Sequence, residues 1–281
     1  MNEYLLGLYE KSMPNSLTLC EKLEHTKASC FDFLDVSIDE TDEKLSRLYW
    51  NATQRRETLN AIADTGVPIG TMCLSGHRKY PLGSPDEAVR QKSLDIMGRA
   101  IDLACDLGIR IIQLAGYDVY YVEGSEATKE YFQENLKASV EIAARSGVIL
   151  AFETMETPFM DTVQKAMRYI REIDSPYLQV YPDLGNLSNA AKLYGNNIAD
   201  DLETGRGHIC AMHLKETQPG KYRDVPFGSG SVNFESGIKI AWELGVRRYV
   251  GEFWDNGDYI TQIKHAHSFL RGYFNKIGVG Y

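Results

Sequence analysis

The sequence predicts an α/β protein folded as a single (β/α)8 TIM barrel, and three observations predict it. Eight apolar, β-branched runs of strand length alternate with longer stretches of helical period from end to end. Four of the helical stretches close on glycine in the same way, which implies a unit of roughly 30–40 residues. Taken eight times, that unit accounts for the 281 residues and makes 1–281 one domain. No G-x-G-x-x-G or Walker sequence follows the first run, where an open doubly wound sheet would carry one.

In chain order, the first run is Leu5–Tyr9, and Glu10 follows it as a candidate partner for a substrate hydroxyl. The second is Phe31–Ser37. Thr65-Gly66-Val67 then ends a helix, because glycine takes the left-handed cap without a Cβ clash, and the third run, Pro68–Cys73, begins. His77 lies beyond it with Arg78 and Lys79 alongside, and is a candidate substrate contact. Ser84-Pro85-Asp86-Glu87 reads as a helix start with Ser84 as N-cap, and Pro85–Leu107 sets Leu94, Met97, Ile101 and Ala104 on one face. After Gly108 the fourth run, Arg110–Leu114, carries Gln113, a candidate substrate contact that could hydrogen-bond a hydroxyl or orient a ligand, or else be a satisfied core amide. After Gly147 comes Val148–Phe152, then Leu178–Tyr181, then Ile209–Leu214. Lys215, Lys221, Arg223 and the amides of Gly228-Ser229-Gly230 follow the seventh run, in the region where barrels commonly bind phosphate. Gly245 precedes the eighth run, Tyr249–Glu252.

Thirty Lys and Arg against 39 Asp and Glu, with no basic run, leave a net charge of −9. That balance argues against a nucleic-acid partner, since neutralising phosphates supplies most of such affinity. No stretch approaches the roughly 18 apolar residues of a membrane span, and the start Met1–Gly7 has no leader character, so a cytoplasmic protein is expected. Cys20, Cys30, Cys73, Cys105 and Cys210 form no C-x-x-C pair, which argues for reduced thiols rather than a disulfide framework or thiolate zinc site.

Barrel enzymes place their chemistry at the C-terminal ends of the strands. The last four runs end on Glu153, Asp183, His213 and Glu252, so four successive strands deliver donors to one end. Three carboxylates packed together repel and take up protons unless a cation neutralises them, and carboxylates with one imidazole suit Mn²⁺, Mg²⁺ or Zn²⁺. One divalent metal ion is therefore expected. His208 lies five residues before His213, on the opposite face of the strand, and is read as structural. His265 and His267 are read as solvated, and Tyr117 or Trp254 as candidate covers for the substrate.

Ala151-Phe152-Glu153, Tyr181-Pro182-Asp183-Leu184-Gly185-Asn186, His208–Lys215 and Gly251-Glu252-Phe253-Trp254 resemble the metal-binding strands of the xylose isomerase-like barrels. Leu6–Lys11, Met72–Arg78, Ile111–Tyr121 and Val225–Gly230 extend the likeness over nearly the whole chain to the L-ribulose-5-phosphate (L-xylulose-5-phosphate) 3-epimerases of bacterial ascorbate and pentose catabolism. The resemblance implies a metal held by Glu153, Asp183, His213 and Glu252, with Glu153 and Glu252 also moving protons. It implies a small-molecule sugar phosphate as substrate. A homodimer is compatible with external barrel helices, which often bury surface in symmetric pairs, and the sequence does not specify one.

Chemistry supports the same assignment. A proton beside a ketone is removable only when the ene-diolate is stabilised, as a Lewis acid does, and inversion needs a base on one face and an acid on the other. An aldose–ketose isomerase or an epimerase of unphosphorylated ketoses would use the same cluster. A nuclease resembling endonuclease IV would need more histidines and a less acidic chain, and a sugar-phosphate sensor would not need both glutamates.

Overall fold

Glycines mark where the strands start. Gly66, Gly108, Gly147 and Gly245 sit at φ of 71°, 77°, 66° and 91°, a left-handed conformation that releases the chain from the helix. The computed structural model describes residues 3–279, so the first two and last two residues of the expected 1–281 domain lie outside the described residues. The strands are β1 Leu5–Tyr9, β2 Phe33–Ile38, β3 Ile69–Leu74, β4 Ile111–Ala115, β5 Ile149–Glu153, β6 Leu178–Val180, β7 Met212–Leu214 and β8 Arg248–Gly251. Around them run α1 Leu19–Ala28, α2 Asp42–Ser46, α3 Ala52–Thr65, α4 Glu87–Leu107, α5 Glu126–Ser146, α6 Val163–Ile173, α7 Leu184–Tyr194, α8 Ile198–Glu203, α9 Phe234–Glu243 and α10 Tyr259–Lys276.

All ladder pairs are parallel, in the order β6-β5-β4-β3-β2-β1-β8-β7. The ring closes between β6 and β7 through single bridges, Val180 with Ile209 and Asp183 with His213. Both strands are shorter than the sequence suggests. Pro182 has no N–H to donate, and the seam is held by Val180 N–H to the His208 carbonyl at 2.8 Å, Cys210 N–H to the Val180 carbonyl at 3.1 Å and His213 N–H to the Pro182 carbonyl at 2.9 Å.

Strand alternation divides the core in two. Leu6, Leu8, Leu34, Val36, Met72, Leu150 and Phe152 face the helices, whereas Tyr9, Phe33, Cys73, Ile111, Ala151, Tyr181, Ala211 and Val250 fill the interior of the barrel. Phe33 occupies the floor of that interior because Gly7 and Gly70 present no side chain: a Cβ on either would lie 2.3 and 2.4 Å from its ring. The α4 N-cap is Asp86, whose carboxylate accepts the Ala88 N–H at 2.8 Å. Ser84, the expected cap, instead accepts the N–H of Asp86 itself. Among the described residues no helix is long and apolar enough to cross a membrane.

Candidate active site

The same alternation that packs the interior points Glu153, Asp183, His213 and Glu252 inward at one end of the barrel. One donor atom from each lies within 4.8 Å of all the others, and all four residues are buried. Local structure holds each in place. Glu153 is the last residue of β5. Asp183 caps α7, its Oδ1 accepting the Asn186 N–H at 2.6 Å, and its own N–H donates to Thr154 Oγ1 at 3.0 Å. Asn186 Nδ2 returns to the Thr154 carbonyl at 2.8 Å, so the ends of β5 and β6 are tied together. The Glu252 N–H donates to the Leu214 carbonyl at 3.0 Å, tying β8 to β7.

His213 Nδ1 lies 3.0 Å from Glu252 Oε2 and 3.5 Å from Glu153 Oε1, and Gln113 Nε2 approaches it at 3.4 Å. Its other nitrogen, Nε2, lies 3.5 Å from Oδ2 of Asp35, a fully buried carboxylate whose Oδ1 accepts the Thr71 hydroxyl at 2.6 Å. The two ring nitrogens thus see different surroundings, a lone buried carboxylate on one side and the donor cluster on the other. Lys215 Nζ stands 3.3 Å from Asp183 Oδ2 and 3.4 Å from Glu252 Oε2.

Burial drives the Glu153 carboxyl above its ordinary range, and the charge of Glu252 adds to the shift. Asp183 is raised for the same reasons, against the pull of Lys215. Burial works against charge on Glu252 as well, but Lys215 and His213 outweigh it and hold that carboxyl low. His213 is raised because Glu252 and its neighbours overcome the cost of burying the imidazolium. Buried Oδ2 of Asp183 and Oε2 of Glu252 have Lys215 and His213 as charged neighbours but make no hydrogen bond of good geometry. Three carboxylates, one imidazole and two such orphaned oxygens fit a divalent cation by donor chemistry and by the need to satisfy buried anions.

A cavity opens over the cluster. Glu153, Glu252, Tyr9 and Trp254 line it together with Lys11, Arg78, Lys215 and Arg223. Arg223 Nη2 bonds Glu156 Oε1 at 2.8 Å, which also accepts the Tyr120 hydroxyl at 3.2 Å. Of the expected substrate contacts, Arg223 reaches this cavity and Gln113 lies beneath it beside His213.

The others are corrected. Glu10 is fully buried and engaged by Lys22 at 3.1 Å, by Arg47 at 2.7 and 2.8 Å, by Lys44, and by the Ser37 N–H at 2.8 Å, so no oxygen is left for a substrate. His77 turns away from the cavity toward α4, its Nε2 meeting the Ser93 carbonyl at 3.2 Å, and burial lowers its pKa to about 4. Lys221 is exposed at the tip of a turn paired with Gln218. Gly230 packs on Glu216, where a Cβ would lie 2.3 Å from Oε1, and that carboxylate takes the N–H groups of Gly228 and Val232 at 3.0 and 3.1 Å. Of the amides expected for phosphate, Gly228 N–H is therefore committed to an internal carboxylate, and Ser229 N–H goes to the Pro226 carbonyl at 3.0 Å. Tyr117 is buried behind Tyr120, and His267 is half-buried beside Arg271 rather than solvated.

Sequence reasoning missed Asp35, Lys11, Arg78 and Glu156. Asp35 had a signal: a carboxylate inside the run Phe31–Ser37, at the inward parity of Phe33.

An eight-stranded parallel barrel with a carboxylate–imidazole cluster at its C-terminal end defines a class, the xylose isomerase-like TIM barrels. The model of that family matches residues 23–273, and the chain belongs to it. Within it, the chain is 44% identical over 277 residues to the L-ribulose-5-phosphate 3-epimerase UlaE of Shigella boydii serotype 18, covering 98% of this chain and 96% of the relative, which places it among those epimerases. A D-tagatose 3-epimerase-like protein superposes with a TM-score of 0.80 at 18% identity, covering 98% of each chain. The D-allulose 3-epimerase of Methylomonas sp. in complex with D-allulose superposes with a TM-score of 0.77 at 14% identity, covering 97% of this chain and 98% of that one. At these identities the superpositions speak for the fold alone.

Proposed function

We propose that this protein inverts C3 of L-ribulose 5-phosphate or its epimer L-xylulose 5-phosphate by removing and returning the C3 proton through an ene-diolate. The observation that carries the reading is the convergence of Glu153, Asp183, His213 and Glu252 within 4.8 Å at the mouth of the barrel. The 44% identity with a named epimerase of this phosphoketopentose supports the choice of substrate.

Glu153, Asp183, His213 and Glu252 would hold one divalent ion, Mn²⁺, Mg²⁺ or Zn²⁺. When bound, such an ion supplies Lewis-acid stabilisation of the charge that develops on the substrate oxygens. The remaining work falls to this chain's own groups. Glu153 and Glu252 come from nonadjacent strands, so one carboxylate takes the C3 proton on one face and the other returns a proton on the opposite face. Lys215, 3.3 and 3.4 Å from Asp183 and Glu252, keeps charge balanced within the cluster. Tyr9 and Trp254 line the cavity and narrow the access of water to the reacting carbons.

Proton NMR of L-ribulose 5-phosphate with metal-loaded protein in D₂O tests the reading. Deuterium at C3, with no glycolaldehyde phosphate or dihydroxyacetone trappable, is the expected result. Deuterium at C1 with formation of an aldose would establish an isomerase instead, and inversion at C4 without deuterium would refute proton transfer altogether.

A further inference from the structure

β7 ends at Leu214, and Lys215 follows at the parity of His213, so its side chain turns inward as that imidazole does. The backbone there is clamped from two sides. Gly185 lies so close that a Cβ on it would stand 2.7 Å from the Lys215 carbonyl oxygen, and Thr217 Oγ1 donates to the Gly185 carbonyl at 3.0 Å. Glu216 turns back into its own loop, where it accepts the N–H groups of Gly228 and Val232 at 3.0 and 3.1 Å. The stem of a buried lysine is thus fixed at its base.

Its ammonium is placed unlike that of a closed salt bridge. Nζ stands 3.3 Å from Asp183 Oδ2 and 3.4 Å from Glu252 Oε2, each longer than the roughly 2.7–2.9 Å of a charge-assisted hydrogen bond. The centre of the Trp254 ring lies 5.9 Å away, and the side chain lines the same cavity as Glu153, Glu252 and Tyr9. Lys11 and Arg223 on that wall are engaged by Asp39 and Glu156 instead. An ammonium has three N–H donors and no acceptor, so two loosely held carboxylates leave it a donor for the cavity.

We infer that Lys215 is a catalytic residue, an N–H donor to the C2 oxygen of the ketose as the ene-diolate forms. In that step the C3–H bond breaks, an O–H bond forms on a glutamate, and the C–H electron pair becomes the C2–C3 double bond while the carbonyl pair moves onto the C2 oxygen. Negative charge leaves a carboxylate and appears on the substrate. A fixed ammonium beside Glu252 is positioned to follow it, and a preorganised donor in a buried site is worth more than the same donor in water. The assignment rests on the epimerase reading and goes beyond balancing the charge of the cluster.

The test compares wild type, Lys215→Met and Lys215→Arg at saturating Mn²⁺ on L-ribulose 5-phosphate. Calorimetry measures two phosphorylated ligands in parallel: a hydroxamate that mimics the planar ene-diolate, and the pentitol phosphate made by reducing the substrate, which has no carbonyl. Lys215→Met keeps the stem and removes the donor. Its turnover should fall about 10²–10³-fold with KM little changed. Affinity for the hydroxamate should fall in step, while that for the pentitol phosphate stays near wild type, because the contact belongs to the transition state. Lys215→Arg keeps the charge but displaces the donor, and should regain only part of the loss. Circular dichroism and thermal melting report folding, and Lys215→Arg carries the same comparison if the methionine variant does not fold. Normal turnover of Lys215→Met once Mn²⁺ saturates, or an equal loss of both ligands, would overturn the assignment and leave the epimerase reading standing. Wild-type protein that puts no deuterium at C3 in D₂O would overturn the epimerase reading itself.

Discussion

At the scale of single residues, the site depends on which atoms are left without partners. Glu153→Gln and Glu252→Gln keep size and an oxygen donor but remove a base. Each is expected to lower turnover by at least about 10²–10⁴-fold, the usual share of general acid–base catalysis, with the fold intact by circular dichroism. Near-wild-type turnover in either variant would reduce that glutamate to a ligand or a packing group. Asp35 faces the nitrogen of His213 that points away from the cluster. A proton on Nε2 directed at the Asp35 carboxylate, 3.5 Å away, leaves the Nδ1 lone pair facing Glu153 and Glu252. Asp35→Asn should therefore weaken divalent-ion affinity roughly 10–100-fold, as carboxylate–histidine pairs behind metals generally do. Calorimetric titration with Mn²⁺ measures it. Unchanged affinity would leave Asp35 a core residue only.

At the scale of elements, Glu10 locks three helical pieces onto the end of β1. Lys22 comes from α1, Lys44 from α2 and Arg47 from the turn after it, and the carboxylate also accepts the Ser37 N–H of β2. Arg47 and both lysines outweigh the cost of burial and hold the Glu10 carboxyl well below its ordinary value of 4.5. A lowered carboxyl stabilises the fold above its unfolded pKa, and that contribution is lost as pH falls below about 4.5 toward the folded value. Glu10→Gln leaves buried cations uncompensated, so urea unfolding at pH 7 should show a loss of about 3–5 kcal/mol. The acid-side slope of stability should flatten in the same variant. A loss under about 1 kcal/mol would mean that the cations relax to water instead. The same region shows how a turn decides function: His77 and Arg78 are neighbours, yet one is packed against α4 and the other lines the cavity.

For the whole molecule, the cluster joins β5, β6, β7 and β8, the part of the sheet where β6 and β7 meet only through isolated bridges. An ion that binds the folded chain there should stabilise the barrel as a unit. At a hundredfold excess over Kd the gain is about 2.7 kcal/mol, enough to raise the melting temperature by several degrees. Exhaustive chelation, checked by elemental analysis, should abolish turnover and reverse the shift, and His213→Ala should remove the response to added Mn²⁺. Full activity after chelation would end the metal reading.

What the sequence by itself determined was everything that depends on local period. Alternation of two made Glu153, Asp183, His213 and Glu252 inward-facing residues at strand ends, and glycine at Gly66, Gly108, Gly147 and Gly245 set where the strands start, because both effects arise from the conformation of a few adjacent residues. Tertiary structure alone decided which charges meet. Glu10 finds cations 12, 34 and 37 residues away, Glu216 captures the N–H groups of Gly228 and Val232, and Glu156 takes Arg223, 67 residues further on. Pairing between side chains far apart in sequence follows from loop paths and burial rather than from spacing, so a strand-end carboxylate such as Glu10 and one such as Glu153 look alike until the helices are docked around them.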